Sequence, residues 1–293
     1  MRTFILGTDW GMDCDDVTAV RILARAHKAG KIRIAGIGIN HCFNTSVASL
    51  DGFLSTEDVF GIPIGLDRDL VEETDGSYQK RLAERAVNYK SNEDAEDAVR
   101  LYRRILAEAD EKVEIVEVGF HHIVAKVLMS GADDISEKTG MELVSEKVEK
   151  FWIMAGRWDV EVGDEFNFHH KPVTRKASHA LCKICPVPIT FLGFEIGCDV
   201  VTGSKLPKDD VLKIAMADYG WPDGRFSWDP MTVALAIDAD TEAWEYDTVR
   251  GTAFVDEETG KNRFEKSDNG LHEYLVRRRD IQYYADRIDE LIK

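Results

Sequence analysis

The sequence predicts one α/β domain over residues 1–293, built on a central, mostly parallel sheet with helices on both sides. Three observations carry that expectation. Short apolar runs alternate with longer amphipathic stretches through most of the chain. The short runs are apolar at successive positions, as in strands buried on both faces. No repeat, low-complexity tract or linker rich in Pro, Gly or Ser divides the chain.

The elements follow in order. "TFILGT" (3–8) has strand length, and "VTAVRILARAHKAG" (17–30) has apolar residues at helical spacing with Gly30 as a stop. "IRIAGIGIN" (32–40) is the next strand, 46–61 a helix and "IPIGL" (62–66) a short strand. The stretch 91–110 opens with Ser91 as N-cap and acids in its first turn, which predicts a helix. "VEIVEVG" (113–119) and "FWIMAG" (151–156) are strands, 174–184 a helix, "PITFLGF" (188–194) a strand and 229–239 a helix. Residues 248–265 read as a late hairpin turning at Thr259-Gly260, and 270–292 as a charged amphipathic helix.

The net charge of −17 would repel a phosphate backbone, so neither nucleic acid nor an anionic membrane is an expected partner. No apolar run approaches the roughly 20 residues a membrane helix needs. The N-terminal apolar run meets Asp9 too soon for a signal peptide, so a cytoplasmic protein is expected. Five Cys at irregular spacing imply no disulfide framework. Cys182 and Cys185 form a Cys-x-x-Cys at a helix end before a strand, whereas a redox pair would stand at a helix start; two small buried residues are expected there.

In parallel sheets, ligands bind beyond the C-terminal strand ends. Four stretches lie there: Asp9–Asp16, Asn40–Asn44, Val118–His122 and the 155–170 loop. The first holds four aspartates, Asp9, Asp13, Asp15 and Asp16, in eight positions. One or two acids would suit the start of helix 17–30. Four repel one another at a partly buried strand end unless a cation is present. An EF-hand loop would put Asp13 and Asp15 at its first and third ligand positions, but it needs a Gly where Thr18 stands. A metal-dependent active site is the remaining reading: oxygen ligands for Ca²⁺ or Mg²⁺, with one carboxylate free to take a proton from water.

"TDWGMDCDDVTAV" resembles the N-terminal signature of the nucleoside hydrolases, the inosine-uridine-preferring N-ribohydrolases, in its longer Asp-x-Gly-x-Asp-x-Asp-Asp form. Further blocks resemble the family in the same order: "GIGINHCFN" (36–44), "IVEVGFHHIVA" (115–125), "IMAG" (153–156) with "DEFNF" (164–168), "SWDPMTVALAID" (227–238) and the hairpin "RGTAFVDEETG" (250–260). The resemblance spans residues 3 to 265, and blocks in one order are more specific than any one of them.

It implies calcium-dependent cleavage of the N-glycosidic bond of a ribonucleoside. Asp9, Asp16, Asp229 and the Val118 carbonyl would hold Ca²⁺. Asp15 would be the general base, and Asn44, Glu165 and Asn167 would grip the ribose hydroxyls. A homodimer or homotetramer is expected. The chain departs from the family where many members carry a His before the late metal Asp; here Trp228 stands, and indole is no general acid. Trp228 is expected to stack on an aromatic leaving group. Asp13, Trp10, His41, His121, His122, Trp158 and His170 are further candidates around the base. Two other activities compete: a catalytically weak nucleoside- or ribose-binding protein, against which Asp15 speaks, and a hydrolase of a non-nucleoside riboside. A haloacid-dehalogenase-like phosphatase needs Asp-x-Asp, and residue 11 is Gly.

Overall fold

The computed structural model describes residues 1–293. Along the chain run β1 (Thr3–Thr8), α1 (Asp15–Lys28), β2 (Arg33–Ile39), α2 (Ser46–Thr56), β3 (Ile64–Leu66), α3 (Gln79–Ala83), β4 (Glu96–Asp97) and α4 (Ala98–Glu108). Then come β5 (Val113–Glu117), α5 (His122–Met129), α6 (Gly140–Lys147), β6 (Val148–Met154), α7 (Phe166–His169), α8 (Pro172–Ile184), β7 (Ile189–Leu192) and α9 (Phe194–Gly197). The last third holds β8 (Val201–Thr202), α10 (Val211–Tyr219), β9 (Arg225–Phe226), α11 (Trp228–Asp238), β10 (Tyr246–Val255), β11 (Asn262–Lys266), β12 (His272–Arg277) and α12 (Ile281–Ile292).

Ten strands form one sheet in the order β11-β10-β12-β7-β6-β5-β1-β2-β3-β4. All neighbours from β12 to β4 pair parallel, and β10 pairs antiparallel with both β11 and β12. This is the predicted α/β architecture with its late hairpin. β8 and β9 pair antiparallel in a separate two-stranded sheet that the sequence did not suggest.

Alternate side chains of each central strand serve opposite faces, as the pleat requires. Phe4, Leu6, Val116, Val118, Trp152 and Met154 join the core under α1, α2, α10, α11 and α12. Ile5, Val113, Ile115, Phe151 and Ile153 join the core under α4, α5, α6 and α8. Both faces are therefore covered, which is why the strands read as unbroken apolar runs. No helix is long and apolar enough to cross a membrane.

Two expectations fail in part. The stretch 91–110 is not one helix: Ser91 caps a short 3₁₀ turn, the chain then pairs as β4, and α4 starts only after Asp97 accepts from the Arg100 N–H. The stretch 270–292 is helical only from Ile281, because His272–Arg277 leaves as β12 beside β7. Its Tyr274 and Leu275 are buried in opposite cores, so a two-sided strand outcompetes the helical pattern. Cys182 and Cys185 are free, buried thiols at the end of α8, and burial pushes both above the usual thiol range.

α1 is fixed at its middle by Arg21, which is 3% exposed, pairs with Glu57 at 2.6 Å and Asp210 at 2.8 Å, and donates to the Ile292 carbonyl. Removing one partner of a buried ion pair leaves the others uncompensated. Arg21→Ala should therefore cost on the order of 3 kcal/mol in urea unfolding, and clearly more than the exposed Arg100→Ala, which breaks only a surface pair with Asp134.

Candidate active site

The site lies where β1, β5 and β6 end. β1 stops at Thr8, and the chain turns through residues 9–14 before α1 begins at Asp15. Gly11 has φ +109°, which is left-handed space that favours glycine, and an added Cβ would sit 2.3 Å from the Gln79 amide nitrogen. Three side chains hold this turn by its carbonyls. Gln79 Nε2 donates to the Trp10 carbonyl at 2.7 Å, Tyr219 Oη to Met12 at 2.6 Å and Tyr78 Oη to Asp13 at 2.7 Å. Gly119 permits the end of β5 to lie against the same turn, since a Cβ there would be 2.3 Å from the Asp9 nitrogen.

Two helix N-termini converge beyond the strands. Asp15 and Asp16 open α1, and Asp229 opens α11, so each acid faces a positive dipole end. The Asp229 N–H donates to Asp15 Oδ2 at 3.2 Å, and Thr8 Oγ1 donates to Asp16 Oδ1. One carboxylate oxygen from each of Asp15, Asp16 and Asp229 lies within 4.8 Å of the others. Asp9 lies beside them on the same pocket floor. Burial, and then repulsion among these groups, holds Asp9, Asp15, Asp16 and Asp229 well above the usual carboxylate range.

The opposite side of the floor is built by α7. Glu165 caps that short helix, accepting from the N–H groups of Asn167 and Gly156 at 2.9 Å each. Burial nevertheless raises its carboxyl to about 7. Asn167 Nδ2 donates to the carbonyls of Val118 and Met154 at 3.0 Å each and so ties the ends of β5 and β6 together.

The pocket has a volume of about 280 Å³. Its floor holds the buried Asp9, Asp15, Asp16, Val118, Glu165, Asn167 and Asp229. Its more exposed rim holds Met12, Asp13, Phe166, Phe194, Tyr219, Arg225 and Trp228. Trp228 donates its indole N–H to the Phe194 carbonyl at 2.8 Å.

The other expected residues lie outside this lining. Trp10 is buried against Phe53 and Tyr78 and donates to Ser49 Oγ at 2.7 Å. Asn44 is exposed on the loop beyond β2; the buried amide at that strand end is Asn40, held by Glu117 and the Phe120 N–H. His121 meets Ser178 Oγ at 2.9 Å, and His122 stands 3.1 Å from Asp67. His170 stacks on Phe120 with ring centres 4.9 Å apart, and His41 packs against both. Trp158 packs on Phe168, Phe191 and Tyr274. Burial lowers His41 and His170 to about 4 and His121 to about 3, so these rings are neutral at pH 7. Sequence reasoning missed Met12, Met154, Phe166, Phe194, Tyr219 and Arg225 in the lining. Arg225 alone carried a signal, as a lone cation in the aromatic run that precedes Asp229.

A divalent cation fits these residues. Asp16 Oδ2 is buried and has no hydrogen-bond partner. Three like charges converge there, and the lining's one cation, Arg225, is paired with Asp13. Carboxylate and carbonyl oxygens are the donors that hard cations select. The tight group contains Asp15 in the place where Asp9 was expected, and Asp9 and Val118 line the same pocket.

No family model matches the chain, and no curated protein matches it. Solved structures do. An inosine-uridine preferring nucleoside hydrolase from Bacillus anthracis superposes with a TM-score of 0.70 at 14% identity, over 100% of this chain and 99% of that one. The type III effector protein XopQ, solved complexed with adenosine diphosphate ribose, gives 0.68 at 15% identity over 99% and 92%. The effector protein XOO4466 gives 0.62 at 14% over 100% and 92%. The chain thus has the nucleoside hydrolase fold, as its motif order implied.

The raised carboxyls set an expectation for pH. A folded carboxyl above its unfolded value binds more protons than the unfolded chain, so its contribution to stability falls as pH rises from about 4. A bound divalent cation removes that penalty. The gain in Tm from added Ca²⁺ over chelated protein should therefore grow with pH from about 4 toward 7, measured by scanning calorimetry. Asp16→Asn, which removes one of the converging charges, should make the chelated protein's Tm less sensitive to rising pH and shrink the gain from added cation.

Proposed function

We propose that the chain is a calcium-dependent N-ribohydrolase that splits a ribonucleoside, or a related riboside, into ribose and free base. The observation that carries this reading is the division of one pocket into a carboxylate floor and an aromatic rim. A sugar diol suits the floor, and a flat base suits the rim. The shared fold of the Bacillus anthracis nucleoside hydrolase supports the same assignment.

Asp9, Asp16, Asp229 and the Val118 carbonyl would hold the ion. The Val118 oxygen accepts from Asn167 and keeps a second lone pair. When bound, calcium supplies positive charge that offsets the floor and acidifies a neighbouring water. Asp15 takes the proton of the attacking water. Its Oδ2 is fixed by the Asp229 N–H, and its other oxygen makes no hydrogen bond within the protein, so one lone pair is free for that task. Glu165 and Asn167, locked by the strand ends, orient the ribose hydroxyls. The buried acids also stabilise the positive charge that develops on the sugar as the bond breaks.

A nucleoside-binding protein with weak catalysis is the second reading, favoured by Trp228, whose indole cannot protonate a leaving base. One experiment separates the two. Ribose release from purine and pyrimidine ribonucleosides should fall about 10²- to 10⁴-fold in Asp15→Asn, while calorimetric nucleoside binding persists, and chelation should abolish release by the wild type. Binding without release in the wild type would favour the second reading.

A further inference from the structure

The rim of the pocket holds one cation among rings. Arg225 lies on β9, which the small sheet pins to β8 through the pairing of Thr202 with Arg225. Its side chain is 12% exposed. Nε donates to Asp13 Oδ1 at 2.8 Å, and Nη2 donates to Asp13 Oδ2. The guanidinium carbon stands 4.6 Å from the ring centre of Trp221, 5.3 Å from Phe226 and 5.1 Å from Trp228. Asp13 thus occupies one edge of the guanidinium and the rings flank its faces. Nη1 makes no hydrogen bond within the protein, and Arg225 lines the pocket.

The reading as an N-ribohydrolase leaves one problem, and this inference rests on that reading. A departing base gathers negative charge as its bond to the sugar breaks. Trp228 cannot give it a proton, and the indole N–H is already engaged with Phe194. The histidines nearby stand outside the lining. We propose that Arg225 takes up the charge of the departing base through Nη1, with Asp13 as its positioning residue. The substrates are then ribosides whose base leaves as an anion, without an acid.

The step balances. The water oxygen bonds to C1′ and its proton passes to Asp15. The electron pair of the C1′–N bond goes to the base nitrogen. The base anion departs against Arg225 and takes a proton from solvent, and Asp15 returns its own proton to solvent. A fixed guanidinium in a half-buried site stabilises such charge far better than water does.

The test measures kcat and KM for the full chain with calcium. Substrates are inosine, adenosine, uridine and a series of aryl ribosides graded in leaving-group acidity. Arg225→Gln should lose about 10²-fold or more in kcat on the poorest leaving groups and little on nitrophenyl riboside, so the dependence of log kcat on leaving-group acidity steepens. Arg225→Lys should fall between, because a lysine keeps the charge but not the fork. The double variant Asp13→Asn with Arg225→Gln removes the pair without stranding a charge, and it should show the same steep dependence. Equal loss on every substrate, or loss in KM alone, would overturn the role of Arg225 while leaving the ribohydrolase intact. A wild type that cleaves none of these ribosides would overturn both.

Discussion

Like charge at close range is the constraint around which this molecule is arranged. Asp9, Asp15, Asp16 and Asp229 share one largely buried floor, where water screens them poorly. The fold relieves the repulsion with fixed dipoles. Two helices start at the cluster, Thr8 donates to Asp16, and the Asp229 amide donates to Asp15. The relief is incomplete, as the raised carboxyls show. What remains is an attraction for positive charge, held ready by the backbone.

That arrangement needs a stiff support, and the sheet supplies it. The floor draws on the ends of β1, β5 and β6, three adjacent parallel strands covered on both faces. Asn167 ties two of those ends, and the turn 9–14 is clasped from three sides through its carbonyls. Because those contacts reach backbone atoms, they leave the Asp13 carboxylate to pair with Arg225 at the pocket rim.

Much of this was legible beforehand, for physical reasons. Buried parallel strands must be apolar at successive positions, so β1, β2, β5, β6 and β7 announce themselves. Acids packed at a strand end have few explanations, so the floor was visible as well. β12 was not, because "HEYLVR" is short and sits beside a true helix, and its strand character comes from pairing with β7 and β10. The rim was equally hidden. Phe194, Tyr219 and Arg225 lie on α9, α10 and β9, far along the chain from the 9–14 turn, where Tyr219 meets the Met12 carbonyl and Arg225 meets Asp13. Asn44 shows the limit of reading by motif: the amide buried at the end of β2 is four residues earlier.

The strand order has one more consequence. The sheet ends in β4, two acidic residues long, on one side. On the other it ends in β11, whose Arg263, Glu265 and Lys266 are charged and exposed. Short or charged edges discourage a second molecule from extending the ladder. Self-association by continuous β-pairing is therefore disfavoured, and copies of this chain would have to meet through helices and loops. The finished ten-stranded sheet therefore offers no long apolar edge strand on which a fibre could template.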